Sequence, residues 1–437
     1  MRSLPALFLL TLAAAASAAP LDTLLAKPDL WSLSADSFGQ EMVAQYREEV
    51  DTKPFRWVSS TKDSARAADR EITLYGLPVV EALARFEAGR LAEFTAVLYA
   101  RGDAGSLGKE KYEALVRGAV AALDKATQAK MAVRGKDQSS AVKADGLLWQ
   151  TPAARYLLEY SAIKEVKTRN VEFRAEFVRL EITPPPRQGA LLSGAAAPGK
   201  GKFSGPQHVD RTAANGDVVI PDVPMVDQGQ KGYCVVACAE RLMRYYGLPT
   251  DANELAQVAN SDAERGTNPS VMLAAVKKLG NRLRVRVRQI ESLEVKDILA
   301  LIKEYNRAAK KNGKAQIPDQ GYTLNLDTIF GAMDAETLKS VRGRSAGETQ
   351  RFQREIQQHI DAGIPVLWSV RLGLVPEPEI PQAVGGHMRL IIGYNWKTQE
   401  ILYTDSWGAA HAKKRMPLAD ACTITMSLAT IEPLGGG

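Results

Sequence analysis

A stretch rich in proline, glycine, alanine and serine divides the chain and limits the folds open to it. It spans residues 183–216 and begins with Pro184-Pro185-Pro186. Consecutive prolines are extended, and the small residues that follow are typical of a flexible linker. A connection of this length does not fit inside one compact domain. We therefore predict a linker at 183–216 between a first domain at 19–182 and a second at 217–437.

The first 18 residues have the pattern of a secretory signal peptide. Arg2 supplies a positive charge, residues 4–16 are apolar, and Ala16-Ser17-Ala18 resembles a cleavage site. The apolar run is too short to cross a bilayer comfortably, which disfavours an uncleaved anchor. No later segment holds 18 consecutive apolar residues, so we expect no stable membrane insertion after cleavage. This indicates a bacterial protein exported to the periplasm or the medium.

The composition is that of a globular protein. Of its 437 residues, 45% are hydrophobic and 24% are charged, which excludes a disordered chain. The net charge of +6 is mild for this length and gives no reason to expect a nucleic-acid partner. Three cysteines are too few, and odd in number, for a disulfide framework.

Residues 19–182 predict a small α+β domain. One or two helices precede residue 70, and strands at 79–86 and 91–99 are joined by a turn at 87–90. An amphipathic helix follows around 112–123, and further strands lie at 146–150, 153–161 and 171–182. The alternation in the last strand slips by one position at Val178, which predicts a bulge. This domain contains neither histidine nor cysteine, and we assign no chemistry to it.

The second domain contains all three cysteines and three of the four histidines, the fourth being His208 in the linker, and Cys234 is the candidate nucleophile. It follows a glycine-containing loop at 228–233 and begins a predicted helix that ends before Gly247-Leu248-Pro249. A helix N-terminus favours thiolate over thiol, and the thiolate is the reactive form. The alternative is a cysteine that only fills space in the core.

His387 and Asp405 are the candidate base and acid. Each lies in a predicted strand, and the intervening Asn395-Trp396-Lys397 is a candidate turn. A hairpin centred on Trp396 would place His387 directly opposite Asp405 on one face, with Cβ atoms roughly 4.5–5.5 Å apart, unless a bulge shifts the register. An acid so placed can orient an imidazole, as a Cys–His–acid triad requires.

The second domain resembles the papain-like cysteine peptidases, and within them the bacteriocin-processing (double-glycine) branch without its transporter. The resemblance rests on a glutamine six residues before the cysteine, on Tyr245-Tyr246-Gly247 closing the helix, on Gly386-His387, and on Asp405-Ser406-Trp407-Gly408. Papain has Asn where this branch has Asp. One departure is Tyr233-Cys234-Val235, where the branch usually has Asp-Cys-Gly, and it bears on substrate preference.

The resemblance implies a role for each matching residue. Cys234 would attack a carbonyl carbon, and His387 would pair with the thiolate and protonate the leaving amine. Asp405 would fix the histidine tautomer, and Gln228 would donate to the oxyanion beside the Cys234 backbone N–H. Trp407 would shield the His–Asp bond from water. Their sequence neighbours Gly386 and Tyr233 are expected in the cleft.

Several other residues could take part in catalysis or bind a metal, and we expect most of them to be structural. Gln230 is an alternative oxyanion donor to Gln228. Cys238 is expected in the core, and Cys422 is either in the core or bridged to Cys238. No zinc pattern is present, and we expect no cofactor. His208, His359 and His411 are expected at the surface, although His411 has the alternative of lining the cleft. Gly435-Gly436-Gly437 is expected to be a frayed end.

Arginines at 282, 284, 286 and 288 alternate with apolar residues. This predicts a strand with an exposed basic face that protects a sheet edge. An anion-binding role is the alternative.

These inferences lead to one function and two alternatives. The leading hypothesis is an exported thiol peptidase acting on a peptide or protein. The alternatives are acyl transfer by the same triad and a catalytically inactive binding module. The first domain would position substrates, bind a partner or cover the cleft.

Overall fold

The chain forms two halves, each built around its own antiparallel sheet. The computed structural model describes residues 19–46, 49, 52–68, 71–136, 142–167, 170–185, 203, 205–228, 232–248, 252–261, 266–319, 321, 324–343, 345–382 and 384–434. The predicted signal peptide, Gln230 and the terminal glycines lie outside the described residues.

The first half is a broad sheet with one long helix against it. Its elements in chain order are β1 (Ala19–Pro20), α1 (Asp22–Leu25), α2 (Ala35–Met42), β2 (Arg56–Trp57), β3 (Ser64–Ala67), β4 (Ile72–Leu74), β5 (Leu77–Val79), β6 (Glu81–Glu87), β7 (Arg90–Ala100), α3 (Arg101–Ala104), α4 (Lys109–Thr127), β8 (Ala132–Lys136), β9 (Asp145–Gln150), β10 (Arg155–Lys167) and β11 (Asn170–Thr183). The strands pair in the order β2-β3-β6-β7-β11-β10-β9-β8, and β1, β4 and β5 form a separate small sheet. Helix α4 packs against β9, β10 and β11.

Local sequence signals predicted much of this half. The predicted turn is formed by Ala88 and Gly89, whose φ angles of +48° and +73° suit a two-residue hairpin loop. The predicted bulge is present, since the β11–β7 register shifts between Val178 and Arg179. Strands β2 and β3, which extend the sheet edge, were not predicted, because they are two and four residues long.

The second half is also a sheet covered by helices. Its elements are β12 (Val218–Val219), α5 (Cys234–Tyr245), α6 (Ala252–Val258), α7 (Pro269–Lys278), α8 (Gly280–Leu283), β13 (Val285–Ser292), α9 (Val295–Lys311), α10 (Leu326–Gly331), α11 (Ala335–Arg342), α12 (Ala346–Asp361), β14 (Val366–Leu372), β15 (Gly385–Asn395), β16 (Glu400–Thr404), β17 (Lys414–Pro417), α13 (Leu418–Ile424) and β18 (Thr425–Pro433). The strands pair in the order β13-β18-β14-β15-β16-β17, with β12 alongside β15. Helices α5 and α12 pack on β15. The predicted α+β class is confirmed.

The predicted arginine strand is only partly correct. Strand β13 begins at Val285, because Arg282 belongs to the short helix α8 and Arg284 ends that helix with φ +58°. Strand β13 does lie at the sheet edge. Arg286 on this edge forms an ion pair with Glu432, so part of the basic face is neutralised.

The end of the predicted linker packs on the second half. Residues Gly205–His208 form a 3₁₀ turn, and Asp210 bridges to Val219. The Phe203 ring contacts Tyr245 and stacks on His208. Residues 186–202 lie outside the described residues. Within the described ranges, no helix is long and apolar enough to cross a membrane.

Candidate active site

Cys234 is the first residue of α5, and its side chain is half-buried. The loop before it passes so close to a neighbouring segment that a Cβ on Gly232 would lie 2.6 Å from the Gly266 Cα. Glycine is therefore needed there for the chain to enter the helix at this place. The result is a thiol at the positive end of a helix.

His387 lies on β15, is 3% exposed, and is held by Asp405. The distance between His387 Nε2 and Asp405 Oδ1 is 2.5 Å. The other ring nitrogen, Nδ1, has no hydrogen-bond partner among the described residues. Cys234 lies close enough to be one of the groups that raise the pKa of this imidazole. Since Nε2 is occupied by Asp405, Nδ1 is the nitrogen available to the thiol.

Burial and charge act in opposite directions on this pair. Burial alone would lower the pKa of His387, but Asp405 and Cys234 raise it to about 9. Burial would likewise raise the pKa of the Asp405 carboxyl, yet His387 and Arg389 hold it below its ordinary value of 3.8. The pair is therefore an imidazolium and a carboxylate at neutral pH.

The predicted direct pairing of His387 with Asp405 is wrong. The strands pair Leu390 with Thr404, and the loop between them occupies residues 396–399 instead of being centred on Trp396. Continued past the end of β16, this register sets Arg389 across from Asp405. The His387–Asp405 bond is therefore diagonal, and the two residues meet because their side chains lean toward each other.

Arg389 holds the other oxygen of Asp405, and the sequence did not single it out. Its Nε donates to Asp405 Oδ2 at 2.8 Å, and its Nη1 lies 2.8 Å from Glu377 Oε2. The side chain is fully buried, with its guanidinium 4.7 Å from the centre of the Tyr403 ring. The signal that would have found it is the i+2 position from His387, on the same face of the strand.

Arg241 joins three parts of the site and was also missed. From the middle of α5 its Nη1 donates to the Asp405 carbonyl at 2.9 Å, and its Nη2 donates to Thr404 Oγ1 at 2.7 Å. Its Nε donates to the Pro224 carbonyl at 2.7 Å, on the segment that leads to Gln228. One buried guanidinium thus ties the Cys234 helix to the acid and to the preceding loop.

Trp407 covers His387. The two rings stack with centroids 4.1 Å apart and planes 8° from parallel. His411 meets Trp407 edge-on at 5.6 Å and is buried, so its predicted solvated position is wrong. Burial holds the pKa of His411 below its usual range.

Gln228 is buried next to the acid segment. Its backbone N–H donates to the Ser406 carbonyl at 2.8 Å, and its Oε1 accepts from Ser406 Oγ at 2.5 Å. The Ser406 hydroxyl thus holds the oxygen of the Gln228 side-chain amide. The alternative donor, Gln230, lies outside the described residues.

Two residues expected in the cleft have different environments. Gly386 is exposed near the start of β15. Tyr233 is only 4% exposed and packs against Gly102 of the first half, and its position in a cleft stays a prediction. The Tyr233 ring, directly before Cys234, is buried between the two halves.

The remaining candidates are structural. Cys238 is fully buried, its Sγ donates to the Met388 carbonyl at 3.4 Å, and burial raises its pKa. Neither it nor Cys422 forms a disulfide in the described structure. His359 is 3% exposed and contacts the Glu355 carbonyl, so its predicted surface position is wrong. Across the described ranges, no group of three or more His, Cys, Asp or Glu side chains has a metal-binding arrangement.

Comparison with known families finds a match in the half of the chain that contains this site. Residues 220–425 match the family model described as the Peptidase C39 like family. This part of the chain resembles C39-like peptidases. The predicted resemblance to that branch of the papain-like cysteine peptidases is confirmed, and the C39-like region contains Cys234, His387, Asp405 and Gln228.

Other comparisons add little to the C39-like match. Xylellain, a cysteine protease from Xylella fastidiosa, aligns with 13% identity over 55% of this chain and 91% of its own, with a TM-score of 0.27. That TM-score is too low to bear on the fold or the site. No curated protein sequence matches the chain.

Proposed function

We propose that this chain is an exported cysteine peptidase in which Cys234 is the nucleophile. One observation carries the proposal: His387 is bonded to Asp405 through Nε2, and its Nδ1 is left for a thiol at the N-terminus of a helix. This is the arrangement that thiol catalysis needs, because a base must touch the nucleophile while an acid orients the base.

The reaction then proceeds in two stages. Cys234 would react as a thiolate beside the His387 imidazolium, and its sulfur attacks the carbonyl carbon of the substrate. The Cys234 backbone N–H and the Gln228 side-chain amide would donate to the oxyanion. The carbon–nitrogen bond breaks, and the imidazolium proton goes to the leaving amine. A water molecule, deprotonated by His387, then attacks the thioester and releases the carboxylate product.

The test compares peptide hydrolysis by the wild-type chain and by Cys234→Ala. We expect the variant to lose hydrolysis and the thioester adduct with substrate, whereas Cys422→Ala, a cysteine variant outside the site, should hydrolyse normally. Equal hydrolysis by wild type and Cys234→Ala would refute the proposal. Adding an amine to the wild-type reaction distinguishes hydrolysis from acyl transfer, since only transfer gives an amide product.

Export has its own measurement. We expect the mature protein in the periplasm or medium to begin at Ala19. N-terminal sequencing of the recovered protein would contradict export if residues 1–18 were retained on protein found only in the cytoplasm.

A further inference from the structure

We infer that the first half of the chain is a permanent support for the nucleophile, because it fixes Tyr233, the residue before Cys234. The inference deepens the proposed function, on which it rests, and assigns a positioning role to the first half. It concerns contacts between the halves that lie outside the catalytic residues.

The contact centres on Gly102. This residue is buried in α3, directly after strand β7 of the first half. A Cβ at Gly102 would lie 1.5 Å from Tyr233 Oη and 2.2 Å from Tyr233 Cζ. The tip of the Tyr233 ring therefore fills the space that any larger residue at 102 would need.

Tyr233 transmits this contact to the site. It is the N-cap of α5, with φ −98° and ψ 12°, and the next residue is Cys234. A shift of its ring would therefore change the backbone from which the thiol projects. Displacements of about 1 Å in a catalytic group can cost about 100-fold in rate.

Hydrogen bonds near the Gly102–Tyr233 contact also join the two halves. Arg101, beside Gly102, donates to the Ser261 carbonyl at 2.8 Å and to Asn260 Oδ1 at 3.1 Å. Arg174 on β11 donates to the same Asn260 oxygen at 2.8 Å. Asn260 follows α6 with φ +52°, so two arginines of the first half hold one turn of the second.

A buried ion cluster holds α6 itself. Arg179 on β11 lies 2.6 Å from Glu159 and 3.1 Å from Glu254 of α6. The three side chains are each less than 10% exposed. Only Glu254 belongs to the second half, so the Arg179–Glu254 ion pair is the bond of this cluster that joins the halves, and Arg179 and Glu159 would stay paired if the halves separated.

Apolar packing crosses the boundary as well. Phe177, on β11, and Ala144 of the first half belong to the hydrophobic core of the second half. An inhibitory segment that leaves on activation needs an interface that opens readily, and this interface combines apolar burial with desolvated charge. The contacts therefore favour a fixed support over a removable cover.

The first experiment substitutes Gly102→Ala, with Gly118→Ala as the matched control. Gly118 lies on α4 of the same half with nothing within 4 Å of an added Cβ. We expect Gly102→Ala to lower kcat/KM about 100-fold, mainly through kcat. It should also move the pH profile of Cys234 alkylation by iodoacetamide, and Gly118→Ala should change neither.

A double-variant comparison identifies the contact. In a Tyr233→Ala background, Gly102→Ala should have no further effect on alkylation, because the clashing ring is gone. Equal alkylation profiles for wild type and a folded Gly102→Ala would overturn the inference. Alkylation needs no substrate, so this readout stands even if the wild type hydrolyses no peptide.

The second experiment avoids the risk that Gly102→Ala fails to fold. A specific protease site is inserted between residues 185 and 203, and the purified chain is cut there. We expect the two fragments to co-elute on size exclusion and to keep the alkylation profile of the intact chain. Dissociation of the first half with an unchanged profile would overturn the inference.

Discussion

The imidazole of His387 lies flat on the indole of Trp407, with ring centroids 4.1 Å apart. This stacking follows from strand register, because continuing the Leu390–Thr404 pairing sets residue 407 across from 387. The same register places Arg389 directly across from Asp405, so the His387 side chain reaches Asp405 diagonally. Trp407 and Asp405 thus contact His387 from the same short segment of chain, two residues apart.

Replacing Trp407 should weaken the His–Asp bond. Without the indole, water reaches the ion pair and screens the Asp405 charge that raises the His387 pKa. We expect Trp407→Ala to shift that pKa from about 9 toward the ordinary 6.5 and to lower kcat about tenfold. Trp396→Ala is the control, since Trp396 also stacks on a ring, that of Tyr394. An alkylation pH profile identical for the two variants would contradict this role.

The coupled pKa values predict how stability depends on pH. His387 has a raised pKa in the folded protein, so its contribution is complete below 6.5 and is lost as pH rises through about 9. Asp405 has a lowered pKa, so its contribution is present above 3.8 and is lost as pH falls through the folded value. Thermal unfolding followed across this range should show a fall in midpoint on the alkaline side. In Asp405→Asn that fall should come at lower pH, and an unchanged alkaline fall would count against the pair.

Gln228 should matter for turnover and not for thiol reactivity. An oxyanion donor acts on the tetrahedral intermediate, so Gln228→Ala should lower kcat by about 10²–10³-fold. Alkylation of Cys234 forms no oxyanion and should proceed at the wild-type rate. Ser406→Ala removes the hydroxyl that orients the amide and should have a smaller effect in the same direction. Slower alkylation in Gln228→Ala would assign it a structural role.

Arg241 should act as a positioning residue. Arg241→Met keeps a long apolar stem but removes the donors to Pro224, Thr404 and Asp405. We expect kcat to fall about tenfold or more with little change in KM, because the acid and the nucleophile helix lose their common tie. The alkylation pH profile should shift as well, which loss of stability alone would not cause. Arg286→Met, on the edge strand, should leave both quantities unchanged.

Structural features that depend on residues close together in sequence could be predicted. The helix at Cys234, the hairpin at Ala88-Gly89 and the bulge at Val178 all depend on side-chain period and turn chemistry within a few residues. The order of Gln228, Cys234, His387 and Asp405 indicated the same region that the C39-like family matches. These signals are local, so tertiary structure has little scope to override them.

The tertiary structure decided what depends on register and on distant contacts. The hairpin loop is centred one to two residues later than predicted, and a register shift between Ile391 and Gly393 changes the pairing further along. Together they place Arg389, and not His387, across from Asp405. Arg241 acquired its three carbonyl and hydroxyl partners from segments more than 15 residues away. His359 and His411 became buried because other elements cover them.

The two halves of the chain also show that contacts between distant residues could not be predicted from the sequence. The sequence by itself determined that the proposed chemistry lies in the second half, because all the cysteines and every histidine except His208 of the linker are there. Only the folded chain decided that the two halves share a buried boundary at Gly102 and Tyr233. A glycine and a tyrosine 131 positions apart carry no pattern that links them, and their complementarity exists only in space.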